Sequence, residues 1–430
     1  MRYVPMALTT RLIIGRWPQR GKGRPSIHAR TGQARGEVSD CSLFPVTCCQ
    51  YARMLFKHPT AVITAFAILV MIGISPAQGV ERVVIDQDGS GPGGSNIRSM
   101  MTLIQSPEVR VEGIAMVTGN AWMHAETQHT LRMLEYLGRR DIPVYEGAVH
   151  PLVRSKAETL ANQAFYGQLA WLGAWGGDGS DPSAYPDDPN AAPDMIEGTP
   201  ETAPARQAAA RFLIDAVHAH PGEVTVYAAG PLTNLAIAQR LDPSFADTAK
   251  QLVFMGGSIS PVTDDPEFTT TPNHEFNVWF DPEAAHAVLT ADWQKIIVTP
   301  IDISLQSRYT DAMHDKITRA DTPAAHYLAA FDTERYYMWD EIAALGWLYP
   351  ELVTDTRNLY LDADMSHGPS YGNTLAWTED TKPEHHGPLA TVQMTLDRDA
   401  FDKRFIELMR APTPSSKNPL ANDGTPVAGD

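Results

Sequence analysis

The chain has 430 residues, 43% of them apolar and 20% charged, the balance of a soluble globular protein with material for one large core or two ordinary ones. Its 34 basic and 51 acidic residues give a net charge of −17, which argues against a phosphate backbone or an anionic lipid surface as the main partner and favours a small neutral or metal-chelated ligand. Only three cysteines occur, Cys41, Cys48 and Cys49, so a four-cysteine zinc site and a multi-disulfide scaffold are excluded.

Residues 1–77 hold ten Lys and Arg against two acids, Glu37 and Asp40, an asymmetry that suggests a removable leader. Within it Met54 opens a second beginning: Lys57 and His58, an apolar run from Ala61 to Ile74, then Ser75-Pro76-Ala77. That is the basic, apolar and small-residue succession of a signal peptide over 54–77, with Ala77 just before the cut. The run is short for a membrane span with tilt to spare, and no stop-transfer flank follows; a single-span anchor is the alternative. The expectation is export, periplasmic or secreted, of a mature chain from about Gln78 with no membrane partner after cleavage. Residues 1–53 are rich in Arg and Pro and read as a non-native or disordered extension. Residues 411–430, with Pro412, Pro414, Ser415, Ser416 and Gly424, read as a disordered tail.

From residue 80 to 410 short β-branched runs alternate with amphipathic segments and no composition break interrupts them, so a single α/β domain is expected: a Rossmann-like open, mostly parallel sheet flanked by helices. Val83-Val84-Ile85 reads as a buried strand. Ile97, Met100, Met101 and Ile104 then fall on one helical face that Ser95 or Asn96 caps. Val109 to Val117 is a strand, His124 to Leu137 a helix, and Ile142 to Tyr145 a strand. Gln207 to Ala219 is a helix. Val224 to Ala228, Leu252 to Met255 and Ile296 to Val298 are further strands. Residues 176–205, rich in Gly, Pro, Asp and Ala, read as a long surface excursion, a lid or an insertion.

The strongest local signal is Asp86-Gln87-Asp88 at the carboxyl end of the first strand, where open α/β sheets place their ligands. One acid faces a ligand directly while the other supports it. Gly89, Gly91 and Gly94 then satisfy G-x-G-x-x-G between a strand and a helix, with Glu112 near the end of the next strand, formally a dinucleotide fingerprint. A nicotinamide-dependent dehydrogenase nevertheless ranks behind, because Pro92 removes one N–H from the cradle and Asp88 repels a pyrophosphate. The glycines read better as room for a bulky polar ligand or a hydrated cation beside Asp88.

Farther along come Gly230-Pro231-Leu232-Thr233-Asn234, Met255-Gly256-Gly257, and Glu275-Phe276-Asn277 ahead of Asp281-Pro282-Glu283-Ala284-Ala285. With Val117-Thr118-Gly119-Asn120 and Asp141-Ile142-Pro143-Val144-Tyr145, this order and spacing resembles the inosine-uridine-preferring nucleoside hydrolase family over nearly all of residues 80 to about 400. The resemblance implies the nucleoside hydrolase fold, a small-molecule nucleoside rather than nucleic acid as partner, and hydrolysis of the N-glycosidic bond. It also implies Ca²⁺ at the strand ends, held by aspartates and a threonine carbonyl and chelating the ribose diol; homo-oligomers are common among such relatives. Residue by residue, Asp86 and Asp88 match the first two aspartates of D-x-D-x-G-x-D-D, with Asp88 both metal ligand and base. Thr233 gives its carbonyl to the ion, and Asp340, in Met338-Trp339-Asp340-Glu341, is the distant aspartate that completes the cation site. Asn120, Glu275 and Asn277 hydrogen-bond the sugar and Met255 packs near it.

Two departures stand out. Ser95 and Asn96 take the place of the motif's paired aspartates, which leaves Asn96 as a neutral, monodentate ligand and Ser95 as a contact to the substrate, with weaker metal affinity expected. A one-residue slip instead sets Gly94 opposite one of the acids. Trp339 replaces the histidine that in part of the family protonates the leaving group; an indole stacks on a base but cannot be that acid. Trp175 and Trp279 either contribute to such stacking or pack in the core, and His274 is the substitute acid offered by the sequence. In this reading an oxocarbenium-like sugar is attacked by a Ca²⁺-bound water activated by Asp88. A non-catalytic or differently specific sugar- or nucleoside-binding protein of the same fold is the alternative. Base preference stays open.

Overall fold

The computed structural model describes residues 79–176, 186–265, 268–269 and 274–415. The expected extension 1–53 and expected signal peptide 54–77, part of the Gly- and Pro-rich excursion and the expected tail beyond Ser415 lie outside the described residues. The strands are β1 (Glu81–Gln87), β2 (Val109–Met116), β3 (Val144–Glu146), β4 (Val224–Ala229), β5 (Gln251–Met255), β6 (Ile296–Thr299), β7 (Val353–Ala363), β8 (Thr374–Trp377) and β9 (Ala390–Leu396). They form one sheet in the order β3-β2-β1-β4-β5-β6-β9-β7-β8. Pairings from β3 through β9 are parallel, while β7 runs antiparallel to both β9 and β8.

The principal helices are α1 (Gly94–Gln105), α2 (Met123–Tyr136), α3 (Lys156–Tyr166), α4 (Ala209–Ala219), α5 (Thr233–Leu241), α6 (Phe276–Phe280), α7 (Pro282–Leu289), α8 (Trp339–Leu348) and α9 (Arg398–Arg410). Successive strand residues point to opposite faces. Val83 and Ile85 enter one core with Ile97, Leu131, Ile342 and Phe401. Val84 enters a second core with Phe212, Leu235 and Val288. Helices therefore cover both faces, which is why β4, β5 and β6 are buried along their whole length and read as unbroken apolar runs.

Ile97, Met100, Met101 and Ile104 form the buried face of α1, as the spacing predicts. The cap differs. Ser95 and Asn96 lie inside the first turn, and Gly93 (φ 75°) leads into Gly94 (φ 81°) with no side-chain cap from either residue. Acids far along the chain serve instead: Gly94 N donates to Asp332 Oδ1 (3.3 Å) and Ser95 N to Glu334 Oε1 (3.3 Å). This frees the side chains of Ser95 and Asn96 to face the strand ends. The glycines of the turn also have a different use from the expected one. A Cβ on Gly91 would lie 2.5 Å from the Cβ of His129, and one on Gly93 2.7 Å from the Cα of Asp332. They admit neighbouring chain, not a ligand.

The antiparallel end escapes the apolar-run criterion, because the first half of β7 is largely exposed and polar, Thr354 to Asn358. The described part of the excursion, 186–205, is tied to the α2 region. Trp122 Nε1 donates to Pro186 O (2.6 Å), Arg132 Nε donates to Glu197 O (2.8 Å), and His129 pairs with the Glu197 carboxylate. None of the described residues 186–205 lines the cavity described next.

Candidate functional site

A cavity of about 480 Å³ opens at the carboxyl ends of the parallel strands, the place where open α/β sheets bind ligands. Asn96, Asn120, Glu275, Asn277 and Asp340 give it a polar floor, while Trp171, Phe268, Phe276, Tyr336 and Trp339 supply aromatic walls. Among the described residues no Lys or Arg lines it.

Asp88, directly after β1, is fully buried. Its Oδ1 accepts from Asn96 Nδ2 (2.8 Å) and its Oδ2 from the backbone N of Asn120 (3.1 Å). The second bond needs a close approach: a Cβ on Gly119 would lie 2.1 Å from Asp88 Oδ2, so only glycine fits there. Burial, then the charges of Asp340 and Glu275, hold the Asp88 carboxyl well above the ordinary aspartate range. Asp340, at the start of α8, is held by Ser95 and Gln87. Its N donates to Ser95 Oγ (3.2 Å) and its Oδ2 accepts from Gln87 Nε2 (3.2 Å). Burial and the neighbouring charge of Glu341 push its carboxyl well up too. Ser95 in turn donates to Glu341 Oε2, so its observed bonds position Asp340.

Neither Asp88 nor Asp86 is among the residues lining the cavity; both lie buried beneath it. Asp86 Oδ2 accepts from Asn234 Nδ2 (2.8 Å), and its Oδ1 is buried with no hydrogen-bond partner among the described residues. Burial pushes its carboxyl up to about 7, with the Asn234 bond opposing. Asn234 also bonds the carbonyl of Met116 and the N of Ala148, so Asp86 ties the ends of β1 and β2 to α5. Glu126 of α2, which the sequence reading missed, stands nearby. Its Oε1 accepts from Ala121 N (2.8 Å), its Oε2 has no partner, and burial followed by the charges of Asp88 and Asp86 raises its carboxyl strongly. An acid in the buried stripe Met123, Glu126, Thr127, Thr130, Leu131 and Leu134 was the available signal.

Thr233 opens α5 next to Asn234, the residue that bonds Asp86, and its hydroxyl donates to Asp281 Oδ2 (2.6 Å). The backbone level with Asp88 is the end of β4, where Gln87 pairs with Ala229 and a Cβ on Gly230 would lie 3.1 Å from Asp88 Cβ. Glu275 lines the cavity, but its oxygens already accept three backbone N–H groups, from Asn277 (2.9 Å), Val278 (3.1 Å) and Gly257 (2.9 Å). It caps α6 and fixes the Gly257 turn. Asn277 donates to Met255 O (3.0 Å), and Met255 is buried at the tip of β5 in the same wall.

His274 lines the cavity, yet burial and then the Arg154 charge push its imidazole down to about 4. It is neutral near pH 7 and carries no imidazolium proton to give a leaving group, which removes the reason for choosing it as the acid. Trp339 is in the wall, packed on Phe268 and Tyr337 (ring centroids 5.5 and 4.9 Å). Trp279 is in the wall with Arg154 over its ring (4.6 Å), whereas Trp175 is core, 3% exposed. Glu112 pairs with Arg82 and Arg110 in the middle of β2, away from the strand's carboxyl end, so the dinucleotide reading lacks its acid.

The cavity therefore belongs to a class of small-molecule site in an open α/β sheet, floored by acids and walled by aromatics. The family model described as inosine-uridine preferring nucleoside hydrolase matches residues 83–403, and the chain belongs to that family and is a hydrolase acting on N-glycosyl compounds. It is 28% identical over 344 residues to a probable uridine nucleosidase 2 of Arabidopsis thaliana, covering 76% of this chain and 97% of the relative. It is 25% identical over 305 residues to the pyrimidine-specific ribonucleoside hydrolase RihB of Escherichia coli, covering 68% and 86%. Among solved structures, a plant nucleoside hydrolase superposes with a TM-score of 0.61 at 25% identity, covering 77% of this chain and 100% of that one.

Proposed function

We infer that the chain hydrolyses nucleosides to free base and sugar, with Asp88 as the base that takes a proton from the attacking water. The observation that carries this is the buried acid group Asp86, Asp88, Glu126, Glu275 and Asp340 beneath a cavity that no described Lys or Arg lines. Burial is the main reason their carboxyls are raised, and the charges of neighbouring acids add to it at Asp88, Glu126 and Asp340. Among the described residues no three acid or histidine side chains form a ready metal cage. The oxygen donors of Asp88, Asp340 and Asn96, with backbone carbonyls at the β4 end, nevertheless suit a hard divalent cation in charge and ligand type. Ca²⁺ held there would grip a sugar diol and make a bound water more acidic.

The protein's own part is positional. Asn96 and the Asn120 N–H fix the two oxygens of Asp88, which receives the proton as oxygen bonds to the anomeric carbon and the base departs with the electrons of the broken bond. Asn120 and Asn277 orient the sugar, Met255 closes its apolar side, and Trp171, Tyr336 and Trp339 stack on the base. With His274 neutral and Trp339 no acid, stabilisation of the departing base falls to stacking. The names of the relatives make pyrimidine nucleosides the first to try. The Met54 to Ala77 pattern supports an exported enzyme, and N-terminal sequencing of the natural product tests that.

A second reading, a nucleoside-binding protein with little turnover, is favoured by one observation: Asn96 turns its amide N–H groups, not its oxygen, toward Asp88. The test is release of free base from purine and pyrimidine nucleosides with Ca²⁺ and with a chelator. Release that stops on chelation is expected. Nucleoside binding without release establishes the second reading, and neither binding nor release overturns both.

A further inference from the structure

Glu334 is an acid of the cavity wall that the proposed reaction leaves unused. It lines the cavity with Tyr336 and Trp339, at the start of the segment that supplies the stacking wall. Its Oε1 is committed, accepting from Arg98 Nη2 (3.1 Å) and from the backbone N of Ser95 (3.3 Å). Its own N donates to Asp332 Oδ1 (3.3 Å), so backbone and side chain are both anchored. Its Oε2 has no hydrogen-bond donor among the described residues. That oxygen lies over the first turn of α1, where a Cβ on Gly94 would come within 2.9 Å of it, and the side chain is 41% exposed. The other two acids of the lining are occupied, Glu275 by three backbone N–H groups and Asp340 by Gln87 in the floor.

We propose that Glu334 is a specificity-determining residue that favours cytidine over uridine, its Oε2 accepting an N–H from the 4-amino group of the base. The inference rests on the proposed function, in which the sugar diol faces the floor and the base lies against Tyr336 and Trp339. The reasoning is one of polarity. In its salt bridge with the buried Arg98, Glu334 is a carboxylate, which accepts hydrogen bonds and donates none. At C4 cytosine presents an NH₂, which answers such an oxygen. Uracil presents a carbonyl there, so that two acceptors would face each other with no proton between them. The N–H of uracil lies at N3, flanked by both carbonyls, and an approach to it brings the charged oxygen against their lone pairs. The mismatch grows during the reaction: as the base departs with the electrons of the broken bond, negative charge spreads onto the uracil oxygens, and a neighbouring carboxylate opposes it. A site that leaves a polar atom mismatched discriminates more sharply than one that differs only in size. The bond from Arg98 decides which oxygen of Glu334 is left over for this task.

Glu334→Gln tests this by reversing one arm. Its amide oxygen keeps the bonds from Arg98 and Ser95, and its NH₂ takes the place of Oε2, a donor where an acceptor stood. Base release from cytidine and from uridine is measured with the full chain and CaCl₂. Wild type is expected to favour cytidine in kcat/KM. Glu334→Gln should move the cytidine-to-uridine ratio toward uridine by about 10–100-fold, the order of one hydrogen bond to a charged group. A merely structural role would slow both nucleosides alike, so a variant that keeps the wild-type ratio overturns the proposal, as does a wild type that favours uridine. Should Glu334→Gln fail to fold, product inhibition of the wild type decides: cytosine is expected to inhibit more strongly than uracil, and equal or weaker inhibition by cytosine overturns the proposal. Release of base at a ratio indifferent to position 334 removes only the role of Glu334. Release from no nucleoside at all removes the proposed function, and this inference with it.

Discussion

Two buried acid groups share the region around α1 and α8, and they solve the same electrostatic problem differently. In the first, Arg98 lies fully buried among Asp332, Glu334 and Glu341, with Nε to Glu341 (2.6 Å), Nη1 to Asp332 (3.0 Å) and Nη2 to Glu334 (3.1 Å). In the second, Asp86, Asp88, Glu126, Glu275 and Asp340 surround the strand ends, and among the described residues only amides and backbone N–H groups hydrogen-bond their carboxylates. One group carries its own cation and serves the fold. The other has no basic side chain paired with it among the described residues, as the proposed cation site requires.

Breaking each group should have opposite consequences. Asp88→Asn should lower turnover by about 10²–10⁴-fold, the range for loss of a general base, while the metal-free protein keeps or gains thermal stability because one buried repulsion is relieved; an active variant ends the base assignment. Arg98→Met should cost about 3–5 kcal/mol, since it leaves buried acids without their partner, and a denaturant titration with an unchanged midpoint would show that Arg98 is dispensable. Ca²⁺ at a hundred times its dissociation constant should add about 2.7 kcal/mol, seen as a rise in melting temperature that a chelator reverses.

His274 separates stability from chemistry. Its folded pKa lies below the unfolded value, at about 4, so the stability it contributes is present above about 6.5 and is lost as pH falls from there toward 4. His274→Gln should flatten that decline yet change turnover near pH 7 by less than about threefold; a large loss of rate with rescue by imidazole would restore it as the acid. The smallest effect belongs to Glu112→Gln, a half-buried ion-pair member away from the cavity, with no change in turnover and about 1 kcal/mol or less in stability.

What the sequence conveyed follows from the range of the forces involved. The parallel strands were legible because two-sided burial leaves unbroken apolar runs, as at Val83 to Ile85, and β7 was not, because Thr354 to Asn358 face water. Asp86 and Asp88 were visible as acids at a strand end, whereas Asn96, Asn120, Met255, Asn277, Trp339 and Asp340 came from resemblance, and the cavity brings these six together. Thr233 also came from resemblance; its side chain serves Asp281. Arg98 and its acids were invisible because a buried charge says nothing of a partner more than 230 positions away. Trp171, Phe268 and Tyr336 have no periodicity that singles them out from core aromatics.

The capping of α1 by residues 332–334 bears on how the molecule is born. Arg98 bonds Glu341 across 243 positions, and at about 5–20 residues per second of synthesis that interval is roughly 12–50 s. Until the later segment arrives, Arg98 lacks its three carboxylates and the first turn of the helix lacks its lids. A nascent chain thus cannot assemble a competent centre early, and the enzyme comes alive only when its last third has docked.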